Sequence, residues 1–398
     1  MPQLNWNFKM WGAVLAVIIV LSASGLVLSQ QESEGESVSI ISRVNNEGSG
    51  IFVRSDIADN FVTIDGTGAV TYDPDDWRGT LFMTPGPSSI QHMMLMQIVK
   101  DEMGLSFVQD GQGVSTDGVR WTQKAPGQML DWMMLPENSG VTGGIAWEPH
   151  YAVAVASGEC KSILKTSDYW EGHPCCVVAG NNSYLSDNSV AVTRFLAAYV
   201  ESVQWMQSVM DNGSSDQNWS YLINKAKEVG TPKDPMTDAT AEAALNNILY
   251  AYELDDLNDQ LADVVETYES LGLVNSSNLT NAGFDTPLDF TNHLINGTYL
   301  DTVFNDSEHL DLKTPAEMGV VGTGSVRIKV AYLAADVHQL ALHVGIEKGY
   351  FNDYGIEVEL VGPFGAGGDV MNALLSGHAN LGFVGSPPVV SLSINALR

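Results

Sequence analysis

The sequence predicts an α/β protein with two sheet-bearing, parallel-rich lobes and a helical segment. Three observations predict it. Residues 38–189 and 326–398 alternate strand-like and helix-like stretches, the pattern of helices packed on a largely parallel sheet. Residues 190–305 instead carry apolar side chains at helical spacing. The chain is 398 residues long and 44% hydrophobic, enough apolar surface for a sizeable core.

Residues 1–37 hold an apolar run from Trp11 to Leu28 behind Lys9, then the polar stretch QQESEGES. The run is longer than a signal core of roughly 7–15 residues and shorter than a span of roughly 20. An export signal and a membrane anchor both fit it. Residues 38–84 offer three strands, VSIISRV (38–44), IFVR (51–54) and WRGTLFMT (77–84), which would join the two lobes. Residues 85–189 read as one α/β lobe. The loop PGPSSIQ runs into a helix ending near Gly104, a second helix covers 127–135, and TGGIAWEP (142–149) is an apolar strand ending in a turn.

From 190 to 305 the stripe Phe195, Tyr199, Val203 and Met206 predicts a packed helix. A looser stripe runs from Leu245 to Leu271. Residues 306–325 have no period and read as a linker. Residues 326–398 then form a β-α-β-α-β unit with strands at 326–333, 356–362 and 379–385 and helices near 339–348 and 368–377.

Charge and cysteine content narrow the function. The formal net charge of −30 repels phosphate backbones, which argues against a nucleic-acid partner. It suits a solvated acidic surface, so any anion site must be made locally. The three cysteines, Cys160, Cys175 and Cys176, allow at most one bridge, from Cys160 to either neighbour, if the chain is exported. HPCC (173–176) is an incomplete zinc set. Seven N-x-S/T sequons between Asn181 and Asn305 suit an exported surface. No Walker loop, HExxH helix or nucleophilic triad occurs. The glycine-rich GPFGAGGD lacks the Lys-Ser/Thr of a phosphate loop.

At this point the residues resemble a known family. RIKVAYLAADVHQLALHVGIEKGYFNDYGIEVELV and ALLSGHANLGFVGSPP look like the opening of the nitrate/sulfonate/taurine-type periplasmic binding proteins, which include binders of the thiamine pyrimidine precursor. ISRVNNEGSGIFVR, GTLFMTPGPSSIQHMMLMQIV, GGIAWEPHYAVAVASGE and SDYWEGHPCCVV resemble the later segments of that family. The matched pieces cover most of 38–398, in the order 38–305 then 326–398, the reverse of the family's. A circular permutation or a fragment of a tandem gene would give this order. The linker at 306–325 favours permutation, because it resembles the stretch next to an export signal.

The resemblance implies a two-lobed type II periplasmic-binding-protein fold, permuted, with a ligand in the cleft beyond the carboxyl ends of strands. The candidate ligand loops then carry Pro85, Ser88, Ser89 and Gln91; Trp147 and Glu148; Asp336 and His338; Gly367; and Gly385 with Ser386. The helix N-terminus at Ser88–Gln91 suits an anion. Trp147 offers a ring face and Glu148 a partner for a ligand cation. His338 could donate to an anion.

The expected function is delivery of a small polar or anionic solute, such as nitrate, a sulfonate or taurine, to an ABC permease and its ATPase. Membrane contact would run through the N-terminal segment if it is uncleaved, at an extracellular or periplasmic location. No cofactor, metal or catalytic residue is expected. The alternatives are binding or synthesis of the thiamine pyrimidine precursor, a membrane-tethered sensor and an inactive fragment.

Overall fold

The computed structural model describes residues 37–57, 61–112, 117–231, 236–275, 277–305 and 325–397. The signal or anchor assigned to 1–37 falls outside these residues except at Ser37, and the linker assigned to 306–325 falls outside them except at Ser325. No helix among the described residues is long and apolar enough to cross a membrane.

Two six-stranded mixed sheets organise the chain. The first contains β1 (Val38–Glu47), β10 (Pro174–Asn181), β11 (Ile248–Tyr250), β12 (Val326–Leu333), β13 (Ile356–Phe364) and β14 (Leu381–Gly385), in the order β11-β1-β10-β14-β12-β13. β12 runs parallel to β13 and β14, while β10 runs antiparallel to β1 and β14. The second contains β2 (Ser49–Arg54), β5 (Leu81–Thr84), β6 (Ser106–Gln109), β7 (Gly118–Gln123), β8 (Gly143–Trp147) and β9 (Cys160–Lys165), in the order β6-β7-β5-β8-β2-β9. Its β6, β7, β5 and β8 are mutually parallel, and β2 is antiparallel to β8 and β9. The hairpin of β3 (Val62–Ile64) and β4 (Val70–Tyr72) stands apart.

The period-2 geometry of strands explains why both sheets are buried on two faces. In the first sheet Ile41, Val178, Ile328 and Phe383 pack toward the helix Ser189–Asn212, with Phe195 and Tyr199. Their neighbours Ile40, Val177, Ala331 and Val384 join the core containing Leu261 and Val264 of the helix Leu257–Ser270 and Val370 of the helix Gly367–Leu375. In the second sheet Phe52, Met83 and Ala146 face Met129 and Met133 of the helix Pro126–Met133. Ile51, Phe82 and Ile145 face the opposite way.

The chain crosses between the sheets at Glu47–Ser49 and again at 166–173. Gly48 makes the first crossing possible. Its φ is +88°, and a Cβ there would lie 2.2 Å from His338 Nε2.

Several sequence expectations change here. Residues 77–84 are not one strand. Asp73 caps and Pro74 starts a helical turn, Pro74–Trp77, and only Leu81–Thr84 is extended. Trp77 is fully buried, stacks on Phe82 at 5.0 Å and donates its indole N–H to Phe61 O at 2.9 Å. Burying such a ring contributes about 1.5–3 kcal/mol. The helical stretch 190–305 is interrupted by β11, which pairs with β1 at the sheet edge. The cysteine bridge does not form. Cys160 belongs to the core beside the second sheet, whereas Cys175 and Cys176 lie on β10 of the first, and all three are free.

Candidate functional site

A cavity of about 130 Å³ opens where the two sheets face each other. Its walls are strand ends. Leu333 ends β12, Gly365 to Gly367 come after β13 and Gly385 ends β14. From the second sheet, Pro85 comes after β5, Gln123 ends β7 and Trp147 ends β8. β10 contributes its beginning, since Cys176 pairs with Gly385 in antiparallel register. Strand order therefore explains why distant segments meet here.

Of the residues expected from the sequence, Pro85, Ser88, Ser89, Gln91, Trp147, Asp336, His338, Gly367 and Gly385 line the cavity. Glu148 and Ser386 do not. Glu148 is 1% exposed and faces the packing between the sheets. One carboxylate oxygen accepts the Ala152 N–H at 3.0 Å and the other accepts Asn247 Nδ2 at 2.9 Å. Burial is the main cause of its pKa rising to about 7, against those two hydrogen bonds. Ser386 opens the helix Ser386–Ala396 and is fully buried, while Pro387 and Pro388 reach the cavity.

Several lining groups have their polar atoms committed elsewhere. Ser89 accepts the His92 N–H at 3.1 Å as N-cap of the helix Ile90–Gln97 and donates its proton to Gly86 O at 2.8 Å. Gln91 donates to Ser49 Oγ at 2.9 Å. His338 lies between two acceptors, with Nδ1 2.7 Å from Asp336 Oδ1 and Nε2 3.1 Å from Gly48 O. A ring facing acceptors on both nitrogens carries both protons. Burial by itself lowers its pKa, but Asp336 and Cys175 outweigh burial and bring it to about 9. Neither N–H is left for a ligand, which corrects the donor role expected for His338. Asp336 also accepts from Gln339 Nε2 at 3.1 Å.

Gly48 O receives a second hydrogen bond, from the Glu148 N–H at 2.9 Å. One hinge carbonyl thus ties β8 of the second sheet to the β12–His338 turn of the first. Trp147 differs from these groups. Among the described residues its buried indole N–H has no protein partner.

Gln123, Ala125 and Pro126 also line the cavity without a sequence signal, because GVRWTQ has too many polar residues to read as a strand and hides the loop after it. Leu333 is a further lining residue absent from the sequence expectation. Cys175 and Cys176, expected to pack between the lobes or to form a disulfide, both line the cavity. Among the described residues, none that lines the cavity is Lys or Arg.

Residues 11–217 match the NMT1-like family, and residues 338–393 match the family described as NMT1/THI5 like. No curated protein matches the chain. Among solved structures, similarity is found to the periplasmic nitrate-binding protein NrtA from Synechocystis PCC 6803, at 11% identity and a TM-score of 0.43, covering 71% of each chain. The aliphatic sulphonate binding protein SsuA from Escherichia coli is 13% identical with a TM-score of 0.41, over 67% of this chain and 76% of that one. A zinc-bound ligand-binding component of an ABC-type import system from Staphylococcus aureus is 14% identical with a TM-score of 0.40, over 62% and 71%.

Proposed function

The chain belongs to the NMT1-like family, and on that basis we propose that it is an extracytoplasmic solute-binding protein that hands a small ligand to an ABC importer. The observation that carries this reading is the cavity between two sheets joined by short crossings, lined by strand ends of both. A ligand touching both walls stabilises the closed arrangement over the open one, and a permease would recognise closure. The proposed ligand contacts are Trp147, Ser88, Pro85 and the backbone at Gly367 and Gly385. No residue is assigned a catalytic role.

The lining favours one ligand class within this reading. Its described residues include no Lys or Arg, and it has an aromatic wall at Trp147, whose buried indole N–H has no partner among them. A neutral planar acceptor, such as a pyrimidine, fits these groups better than nitrate or a sulfonate, the ligands named for two structural neighbours. Thermal-shift screening of pyrimidines, nitrate, bicarbonate, sulfonates and taurine tests both levels. A shift with pyrimidines alone supports the neutral class, and a shift with an oxyanion alone overturns it. No shift with any member counts against the solute-binding reading.

The segment order belongs to the same proposal. β12, β13 and β14 share a sheet with β1 and β10, which supports reading 326–398 and 38–305 as a circularly permuted form of the family's order. A variant with 326–397 placed ahead of 38–305 should melt cooperatively near the parent's temperature. A variant that does not fold would sink the permutation reading.

A further inference from the structure

The start of β10 carries two buried thiols that the solute-binding reading does not use. In a regular strand neighbouring side chains point to opposite faces. Here the pairing of β1 with β10 slips, Asn45 opposing Cys176 while Asn46 opposes Pro174, so Cys175 is the extra residue of a β-bulge. The bulge brings both side chains to one side. Their sulfurs lie 3.8 Å apart, and both residues line the cavity. Cys160, in the other core, is not part of the pair. The Cys175 thiol is held below its ordinary value, chiefly by its hydrogen bond with Cys176 and helped by the His338 cation, against burial. The same hydrogen bond and burial raise Cys176.

We propose that Cys175 and Cys176 form a dithiol site in the cavity wall for a thiophilic trivalent arsenic species. Two converging soft donors with no third ligand suit a centre that takes two sulfurs and keeps its own substituent. Among the described residues no cluster of three or more His, Cys, Asp or Glu side chains could hold a metal ion. The chemistry balances without a change of oxidation state. Arsenic in R–As=O forms one bond to each sulfur, and its oxygen leaves as water with the two thiol protons. The biological role of the site rests on the solute-binding reading, whereas the site's existence rests on the bulge alone.

The probe is phenylarsine oxide, added to the folded full chain and monitored by intact mass. The expected result is one adduct per chain, lost in Cys175→Ser and in Cys176→Ser and kept in Cys160→Ser. Circular dichroism melting of each variant separates loss of the site from loss of the fold, and Cys175→Ala serves if the serine variant is unstable. No adduct on the parent, or an adduct that survives in either Cys175→Ser or Cys176→Ser, overturns the proposal. An adduct on a protein that responds to none of the screened solutes would keep the dithiol site and count against the solute-binding reading.

Discussion

The two walls of the cavity use their polar residues in opposite ways. The wall from the first sheet holds the charged groups Asp336 and His338, and these bond to each other, to Gln339 and to the hinge carbonyl of Gly48. The wall from the second sheet holds an uncharged cap at Ser89 and the indole of Trp147, whose N–H is unpartnered. Charge at this site therefore secures the joint between the sheets, and the neutral aromatic group is the one proposed to contact a ligand. A buried ion pair carries a large penalty if one member is removed. A neutral donor can wait for a ligand at smaller cost.

The largest expected effect breaks the charged wall. His338→Leu leaves Asp336 buried without its cation, and loss of about 3–5 kcal/mol of unfolding free energy is expected by urea denaturation. An unchanged midpoint would show that the His338–Asp336 contact does not hold the joint.

The same residue sharpens the comparison through pH. The native protein holds the His338 proton to about pH 9, whereas an unfolded imidazole releases it near 6.5. Its stabilisation is complete below about pH 6.5 and is lost as the pH rises toward 9, on the order of 3 kcal/mol. Glu148, raised to about 7, adds a loss at lower pH, between 4.5 and 7. His92, His150, His173 and His343 are held near 4 by burial and act in the opposite direction, gaining stability from 4 to 6.5. Cys175, held low, opposes His338 on the alkaline side. The measurement is therefore a difference: the slope of stability from pH 6.5 to 9 should be more negative in the parent than in His338→Leu. Parallel slopes would remove the imidazolium from the hinge.

Next comes the hinge itself. Gly48→Ala places a methyl against His338 Nε2 at a positive φ. Strain and overpacking together predict a loss of about 2–4 kcal/mol. Loss below about 0.5 kcal/mol would mean that the crossing relaxes freely. On the neutral wall, Trp147→Phe keeps the ring and removes the N–H. Affinity for the ligand found by screening should fall by up to about tenfold, equivalent to 1.4 kcal/mol, with the melting temperature nearly unchanged. Equal affinity would take the indole donor out of recognition.

The smallest effect is at Ser89, whose hydroxyl is spent on Gly86 and His92. Ser89→Ala should cost about 1 kcal/mol of stability through the lost cap and leave affinity within twofold. A tenfold affinity loss would return Ser89 to the ligand contacts.

Alternation in VRIKVAYL locates β12, and the short apolar stretches VSIISRV and GGIAWEP locate β1 and β8. The segments after β5, β12, β13 and β14 carry most of the cavity residues, since strand ends and ligand sites coincide in open α/β sheets. β10 is harder to read: PCCVVAGN is buried at every position and shows no alternation. β7 is lost among polar residues, and with it Gln123 and Pro126.

Residue type along the chain thus determined most of the strands bordering the cavity and that the chain is acidic. It did not determine which polar groups stay free for a ligand. Glu148 and His338 have the chemistry of ligand contacts, and their partners, Asn247 and Gly48, lie 99 and 290 residues away in the chain. Only the packed fold brings those partners within hydrogen-bonding distance. A buried polar atom pairs with whichever group the fold presents to it, however far apart the two stand in the chain. The cysteines obey the same logic. Adjacent positions on a strand point apart, and a one-residue bulge, set by how β10 pairs with β1, brought the two sulfurs to 3.8 Å from each other.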